Sequence, residues 1–484
     1  MSFPRRMRLS FPRGRALVAC AAMILLAAAL PVGAARAQDD AGPVVASTLP
    51  NGLQVLVLPR HEVAIAAVDI WVKAGTRRQG PGNAGVAHFL EHVLFSGTPT
   101  RPDEQAVDGA VEDLGGSFDA GTSYDWAHFY TEVPSDSVGG VLDVMSDVLE
   151  HASLSNQAIE QERPIVESEI DRNANDPETI AEQQVRSEIY GSASPYGGAI
   201  TGTIDQVAGV TRDQIVDFYH KYYVPSNVAV VVVGDVDPDA VMKEVTDDFG
   251  GWSAPPSAPE QDLPAPTLSK PLKSVQVGAV NDSTLVMGWP APSVQDKPDA
   301  WVMDVLMTYL GQGAENVLDD DLHRRRHLVT SVTADFLTQR DPGMMTVSAE
   351  MPTANVDAVR ADILAHVRAL QTQPLDDQAL AGAKQELVSS YLFETETDSG
   401  KADALGFYDM IDSYMYDVDY IKHVESVTAA QVQAVAQKYL SPVNYAECLV
   451  VPPQDPQNAS ADIQGAPAAA TQASMRLGMV QSGP

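Results

Sequence analysis

The stretch "VTRDQIVDFYHKYYVPSNVAVVVV" at residues 210–233 recurs in altered form as "VTAAQVQAVAQKYLSPVNYAECLV" at residues 427–450. The two copies align without gaps and share Val, Thr, Gln, Lys-Tyr, Pro, Asn and Ala at matching positions. A repeat with so long a period indicates the duplication of a whole domain. Each copy predicts a helix that begins at a capping threonine and ends before Pro225 or Pro442, followed by a buried strand.

A proline-rich segment separates the two halves. Residues 252–271 contain six prolines and few large apolar residues, which is the composition of a linker. The sequence therefore predicts one domain over 38–251 and a homologous one over 272–452. Apolar runs of period two predict strands, and helical periods predict helices. The predicted strands are "GLQVLVLP", "AIAAVDIWVKAG", "STLVMGWP" and "MMTVSAEM", and the predicted helices include "PDEQAVDGAVEDLG" and "VGGVLDVMSDVLEHA".

This mixture of elements predicts an α+β fold. Strands that alternate apolar and polar residues are typical of mainly antiparallel sheets with helices packed on one face. We therefore expect two homologous domains, each with one such sheet.

The ends of the chain differ in composition from its body. Five arginines precede the apolar run "ALVACAAMILLAAAL", and Ala35-Arg36-Ala37 is a small-x-small cleavage site. We interpret residues 1–37 as a signal peptide that is removed after Ala37, so that the protein is exported, in a bacterium to the periplasm, without a stable membrane anchor. Residues 453–484 have the composition of a disordered tail.

The charge of the chain argues against a nucleic-acid-binding protein, and its cysteine content rules out an internal disulfide in the mature chain. Residues 1–37 carry six of the 31 basic residues and none of the 65 acidic ones, which leaves 25 basic against 65 acidic residues and a net charge of about −40. Such a charge argues against nucleic-acid binding. Cys448 is the one cysteine after residue 37, so the mature chain forms no internal disulfide.

Chemistry concentrates in "GVAHFLEHVLFSGT" at residues 85–98. On a helix, His88, Glu91 and His92 share one face, because residues three and four apart are neighbours. An ordinary polar helix face is the alternative interpretation, but the other residues of this helix are apolar, so the cluster would be partly buried and would need a partner.

Two histidines can share a zinc ion if a third ligand is present. The downstream segment "EQERPIVESEIDRNANDPE" supplies Glu162, Glu167 and Glu169 as candidates. Glu162 and Glu169 are about two helical turns apart and share a face that Glu167 does not. On spacing alone, either of these two carboxylates can approach the metal.

The HxxEH pentapeptide is the inverzincin signature, and its surroundings resemble the pitrilysin/insulinase family of zinc metallopeptidases, in particular the processing-peptidase-like branch with two domains per chain. The resemblance covers roughly residues 45–450. The blocks that carry it, in family order, are "AGTRRQGPGNAGVAHFLEHVLFSGT", "GGSFDAGTSYDWAHFYTEV", "ERPIVESEI", "SPYGGAITGT" and "YYVPSNVAVVVVGDVD".

The resemblance implies a specific metal site. It makes His88, His92 and Glu169 the ligands of one Zn²⁺ per chain and Glu91 the base that activates the zinc-bound water. Glu162 matches the accessory glutamate of the family. The resemblance also implies two domains that face each other as a clamshell, and a zinc-dependent endopeptidase that hydrolyses peptides or unfolded polypeptides.

The resemblance further implies that an extended peptide binds as an added strand beside the metal. The matching strand is "SFDAGTS", with Phe118, Asp119 and Ala120 as substrate-binding residues. The family usually has Asn-Ala-aromatic where this chain has Asp119-Ala120-Gly121. The difference adds a negative charge and removes one wall of a pocket.

The second half departs further from the family. Family members place an Arg and, seven residues later, a Tyr across the chamber to hold the substrate, whereas this chain has His323 and Thr330 there. Because family chambers contain four domains and this chain has two, we expect a dimer, with a paralogous subunit that lacks HxxEH and supplies the Arg and Tyr. The alternative is a non-catalytic assembly or peptide-binding subunit.

Overall fold

The computed structural model describes residues 43–80, 82–257 and 259–453. The predicted signal peptide, its cleavage site and residues 454–484 of the predicted tail lie outside the described residues. The first half contains strands β1 Val45–Thr48, β2 Gln54–Pro59, β3 Ile65–Val72, β4 Asp119–Thr122, β5 Ala127–Pro134 and β6 Val228–Gly234. Its helices are α1 Val86–Leu94, α2 Glu104–Glu112, α3 Val138–His151, α4 Asn156–Asn173, α5 Pro177–Tyr190, α6 Ile204–Gly209, α7 Arg212–Tyr222 and α8 Pro238–Phe249.

The second half repeats this mixture of elements. Its strands are β7 Leu272–Val277, β8 Ser283–Pro290, β9 Ser331–Phe336, β10 Met344–Met351 and β11 Ala446–Val451. Its α-helices are α9 Asp299–Met307, α10 Val356–Thr372, α11 Asp377–Glu394, α12 Asp398–Ile411, α13 Met415–Val418, α14 Tyr420–Ser426 and α15 Ala429–Tyr439. Short 3₁₀ turns (Thr76–Arg78, Ser135–Ser137, Pro225–Asn227, Thr353–Asn355) and π-helical turns (Thr308–Gln312, Asp319–Arg325) complete the described elements.

Apart from the additional edge strand β1, the two halves build sheets of the same topology. The first sheet has the order β1-β2-β6-β3-β5-β4 and the second has the order β7-β11-β8-β10-β9. In each sheet one pair is parallel, β2 with β6 and β7 with β11, and the other pairs are antiparallel. The predicted α+β class with two homologous, mainly antiparallel sheets is therefore confirmed.

The repeated stretch forms the same unit twice. Thr211 caps α7 and Thr428 caps α15, and each threonine forms a capping box with the glutamine three residues later. Each helix ends before its proline, and the strand that follows is β6 or β11. All residues of β6 are buried, as expected for a central strand that is covered on both faces.

Each sheet receives one helix from the other half. On its second face the first sheet packs against α12, where Trp71 of β3 meets Leu405 and Met410 in one buried cluster. The second sheet packs in the same way against α5, where Val185 meets Cys448. The helices of the first half cover the opposite face of the first sheet, as predicted. The helix from the other half covers the face that the prediction left open.

A buried cluster of charges joins the two halves to the segment between them. Residues 250–271 contain no helix or strand among those described. Arg77 donates hydrogen bonds to Asp341 Oδ2 and to the Gln261 carbonyl oxygen, each at 2.5 Å. Glu260 lies 3.6 Å and Asp125 3.9 Å from the same guanidinium group. We call these five residues the Arg77 cluster, and it fixes the proline-rich segment against both halves.

None of the helices in the described part of the chain combines the length and the apolar composition that crossing a bilayer requires. Cys448 is buried on β11 as a free cysteine.

Candidate active site

Helix α1 presents the HxxEH residues from a buried position. Gly85 begins the helix with φ 85°, a left-handed conformation, and a side chain at this position would approach the Thr201 carbonyl oxygen to 3.0 Å. The apolar residues of α1 are buried in the core of the first half. His88 and Glu91 are buried as well, with 5% and 7% of their surface exposed, so their polar groups need partners inside the protein.

Helix α4 supplies the carboxylates. Ser155 caps it by accepting a hydrogen bond from the amide of Ala158. Glu169 Oε2 lies 3.5 Å from His88 Nε2 and 3.4 Å from His92 Nε2. The helix therefore brings one carboxylate oxygen between the two imidazoles.

The three side chains have the spacing of metal ligands. One ligand atom from each of His88, His92 and Glu169 lies within 4.8 Å of the other two. Ligand atoms about 2.0–2.1 Å from a tetrahedral zinc ion lie about 3.3–3.4 Å apart, which matches both histidine–glutamate distances. Two nitrogens and one carboxylate oxygen are also a donor set that catalytic zinc takes, and it leaves a fourth position for water.

Two buried nitrogens of the site have no hydrogen-bond partner among the described residues. They are His92 Nε2, which faces Glu169, and His88 Nδ1, the ring nitrogen on the other side from its contact with Glu169. A buried nitrogen without a partner is costly, and binding of a cation satisfies it. The orphaned His92 nitrogen therefore fits a metal ligand.

The two imidazoles differ in proton affinity. Burial and the neighbouring His92 lower the pKa of His88 to about 4, against the attraction of Glu169. Burial also acts to lower the pKa of His92, but the carboxylates of Glu162 and Glu169 outweigh it and raise this pKa to about 9. One imidazole is therefore neutral, while the other holds a proton among carboxylates. A metal cation can take the place of that proton.

Glu91 lies outside the ligand group and has the properties of a base. Burial raises its pKa to about 7, against the opposing effects of His92 and of a hydrogen bond from Thr122. Thr122 Oγ1 donates this bond to Glu91 Oε2 at 2.8 Å. A carboxylate with a pKa near the working pH is suited to take and return a proton.

The other two candidate carboxylates occupy different places. Glu162 Oε2 lies 3.6 Å from His92 Nδ1, the ring nitrogen on the far side from Glu169. Glu167 is partly buried, and it is outside the group of potential ligands found in the described residues. Tertiary packing thus distinguishes Glu169 from Glu162, the two carboxylates between which sequence spacing does not choose.

The expected substrate strand lies at the edge of the first sheet. Among the described residues, β4 pairs with β5 alone, so its other edge has no strand partner. Asp119 pairs with Tyr130 and Ala120 with Phe129, and Phe118 contacts Phe95 just beyond α1. Thr122, the last residue of β4, donates a hydrogen bond to Glu91. The free edge therefore runs beside the candidate base.

His323 and Thr330, which the family resemblance predicts to occupy the places of an Arg and a Tyr, make contacts within their own half. His323 Nδ1 lies 2.9 Å from Asp319 Oδ1 in a π-helical turn. The amide and the hydroxyl of Thr330 both donate to the carbonyl oxygen of Glu350. Neither side chain is among the potential metal ligands of the described residues.

No motif in the sequence gives Thr122 a role, although the residue lies in the quoted strand "SFDAGTS". Period-two alternation places Thr122 on the same face of the strand as Ala120. That signal gives the face of the residue but does not identify Glu91 as its partner, because the two residues are 31 positions apart.

Two family models match the chain. The model described as Insulinase (Peptidase family M16) matches residues 55–203, which include the HxxEH residues and Glu169. The model described as Peptidase M16 inactive domain matches residues 209–387.

Curated relatives span more than four fifths of the chain. A Mycobacterium tuberculosis protein named "uncharacterized zinc protease" is 29% identical over 404 residues, which cover 82% of this chain and 90% of the relative. The mitochondrial-processing peptidase subunit beta of Dictyostelium discoideum is 24% identical over 420 residues, or 84% of this chain and 88% of the relative.

Solved structures share the fold. A protease from Helicobacter pylori superimposes with a TM-score of 0.77 at 22% identity, over 85% of this chain and all (100%) of the other. The periplasmic protease PqqL from Escherichia coli gives a TM-score of 0.67 at 18% identity, over 84% of this chain and 47% of the other.

Proposed function

Because the chain belongs to the insulinase family of peptidases, peptidase family M16, we propose that it is a zinc-dependent endopeptidase that hydrolyses peptides or unfolded polypeptides. The observation that carries the proposal is the convergence of His88, His92 and Glu169, with Glu91 beside them. The relatives named zinc proteases support the same metal.

His88, His92 and Glu169 would hold the ion, and Glu162 would orient His92 through its second ring nitrogen. When bound, zinc acts as a Lewis acid, which lowers the pKa of a coordinated water and polarises a carbonyl oxygen. Glu91 accepts the proton of the attacking water and returns it to the leaving amine. The burial that raises the pKa of Glu91 toward neutrality matches it to both transfers.

We propose that the substrate binds as an extended strand along the free edge of β4. Backbone hydrogen bonds give affinity without a strict sequence requirement, which suits a peptidase of unfolded chains. Phe118, Asp119 and Ala120 would contact the residues next to the cleaved bond. Asp119 adds a negative charge at this position.

The test combines metal analysis with hydrolysis of quenched fluorogenic peptides. Wild-type protein should contain one zinc ion per chain and cleave the peptides. Glu91→Gln should keep the zinc and lose cleavage, whereas Glu169→Gln should lose the zinc. Glu167→Gln is the matched control on the same helix and should change neither. A zinc-free wild type, or a Glu91→Gln variant of full activity, would contradict the proposal.

We further propose that the active form is a dimer with a paralogous subunit that lacks HxxEH. His323 and Thr330 stand where the Arg and Tyr are expected, and a similar chain is named a subunit of the mitochondrial processing peptidase. Without these groups the transition state loses stabilisation worth about 3–4 kcal/mol. Cleavage by this chain alone should therefore be slow, and a sister subunit with Arg-x6-Tyr should accelerate it. A fully active homodimer would exclude this arrangement.

The composition of residues 1–37 supports export to the periplasm. Cell fractionation and N-terminal sequencing should find a periplasmic protein that begins at Gln38. Zinc-free protein without turnover, alone or with a sister subunit, would instead favour the non-catalytic assembly role.

A further inference from the structure

The hydrogen bond between Thr122 and Glu91 joins the free edge strand to the candidate base. Thr122 is the last residue of β4 and pairs with Ala127 of β5 in the antiparallel ladder. Its hydroxyl donates to Glu91 Oε2 at 2.8 Å. No other hydrogen bond to the Glu91 side chain occurs among the described residues.

We propose that Thr122 is a positioning residue that holds the Glu91 carboxylate in its reactive orientation. The inference rests on the proposed function and adds a part to the same site. A glutamate side chain rotates about three bonds, so a carboxylate without a hydrogen bond is free to turn about the last of them. The hydrogen bond from the Thr122 hydroxyl restricts this rotation by holding Oε2 of Glu91.

Threonine is suited to this role for a physical reason. Its branched Cβ restricts χ1, so the hydroxyl is held in place before the substrate arrives. The hydroxyl donates its one proton to Oε2, and this hydrogen bond makes Oε2 a weaker proton acceptor than Oε1. Thr122 thereby selects the oxygen that acts as the base without touching the reacting atoms.

The position of Thr122 also connects substrate binding with base orientation. A peptide that adds to the free edge of β4 orders the backbone of the strand that carries the hydroxyl. The side chains of a strand follow its backbone because their directions alternate regularly along it. A bound peptide therefore keeps the Thr122 hydroxyl, and with it the Glu91 carboxylate, in the orientation that both already have.

The test uses the full chain, in whichever form the wild type cleaves, alone or with its sister subunit. Thr122→Val removes the hydroxyl with little change of shape, and Thr122→Ser restores it. Loss of a group that orients a reacting residue typically lowers rates about 10- to 100-fold. We expect that loss in the kcat of Thr122→Val, with KM and zinc content unchanged, and recovery of most of it in Thr122→Ser.

Thr131→Val is the matched control. Thr131 lies on neighbouring β5, is 3% exposed, and its hydroxyl has no hydrogen-bond partner among the described residues. This variant should leave kcat unchanged. A peptide-affinity measurement completes the test, because Glu91→Gln and Glu91→Gln/Thr122→Val should bind the same fluorescent peptide equally well if Thr122 acts through the base.

The outcomes distinguish a failure of the proposed function from a failure of the proposed role of Thr122. A wild type that cleaves no peptide in any form overturns the proposed function and the inference with it. An active wild type with equal kcat in Thr122→Val overturns the inference alone. Equal losses in the Val and Ser variants, or weaker peptide binding in the double variant, show that the residue supports the strand, and these results also overturn the inference.

Discussion

The Arg77 cluster gives a quantitative test of how the two halves are held together. The Arg77 side chain is 5% exposed and that of Asp341 is 3% exposed, so the pair lies out of contact with bulk water. Arg77→Met keeps the apolar length of the side chain and removes every donor. The change therefore removes one cation from the cluster, whereas Arg340 stays in contact with Asp341 and Glu260.

The magnitude follows from the contacts that are lost. Two hydrogen bonds from the guanidinium disappear, to Asp341 and to the Gln261 carbonyl, and bonds of a charged group contribute about 1.5–3 kcal/mol each. Removing one partner of a buried pair typically costs about 3–5 kcal/mol. Asp341 keeps the amide of Leu263, and Asp125 keeps the hydroxyl of Tyr196. We therefore expect the lower end of the range, about 3 kcal/mol.

The assay is equilibrium unfolding in urea, in which the free energy of unfolding is obtained from the midpoint and the slope. Lys243→Met is the matched control, because its ion pair with Asp247 is exposed on both sides, at 74% and 61%. It should leave the midpoint unchanged. If Arg77→Met unfolds at the same urea concentration as Lys243→Met, the interpretation of the cluster as a clasp between the halves is wrong.

Two further predictions concern pH and helix packing. Burial raises the pKa of Asp304 to about 7, so the folded chain binds this proton more tightly than the unfolded chain does. The stabilisation from this proton is complete below about pH 4 and is lost as the pH rises through 7. Asp304→Asn should therefore lose less stability between pH 4 and pH 7 than the wild type, as measured by unfolding across pH. Gly406→Ala places a methyl group against Trp71 and should cost about 1–3 kcal/mol. Gly382→Ala, in open space on α11, should instead stabilise by about 0.5–1 kcal/mol.

Each of these predictions has a clear contrary result. If Asp304→Asn and the wild type lose stability in parallel between pH 4 and pH 7, a different group is responsible. If the two alanine variants change the free energy of unfolding equally, α12 does not pack tightly on Trp71 and the helix exchange is looser than the contacts indicate.

The part of the candidate site that lies on α1 was predictable, because the sequence pattern that indicates it spans only a few residues. His88, Glu91 and His92 lie within five positions, and helical geometry alone puts them on one face. The capping threonines and the prolines of the repeated stretch likewise fixed the ends of α7 and α15. Spacing could not choose between Glu162 and Glu169, since both lie on the same face of α4 and the angle between α4 and α1 selects the one that meets both histidines.

The sequence by itself thus determined the class of the fold, the duplication and the common helix face of His88, Glu91 and His92, because capping, periodicity and short spacing act over a few residues. Only the tertiary structure decided three other features: that α5 and α12 cross to the opposite sheet, that Arg77 meets Asp341 across 264 positions, and that Thr122 reaches Glu91. The apolar face of a helix or a buried charge requires a partner, but the local sequence does not identify which residue that partner is. The partner is chosen when the whole chain packs.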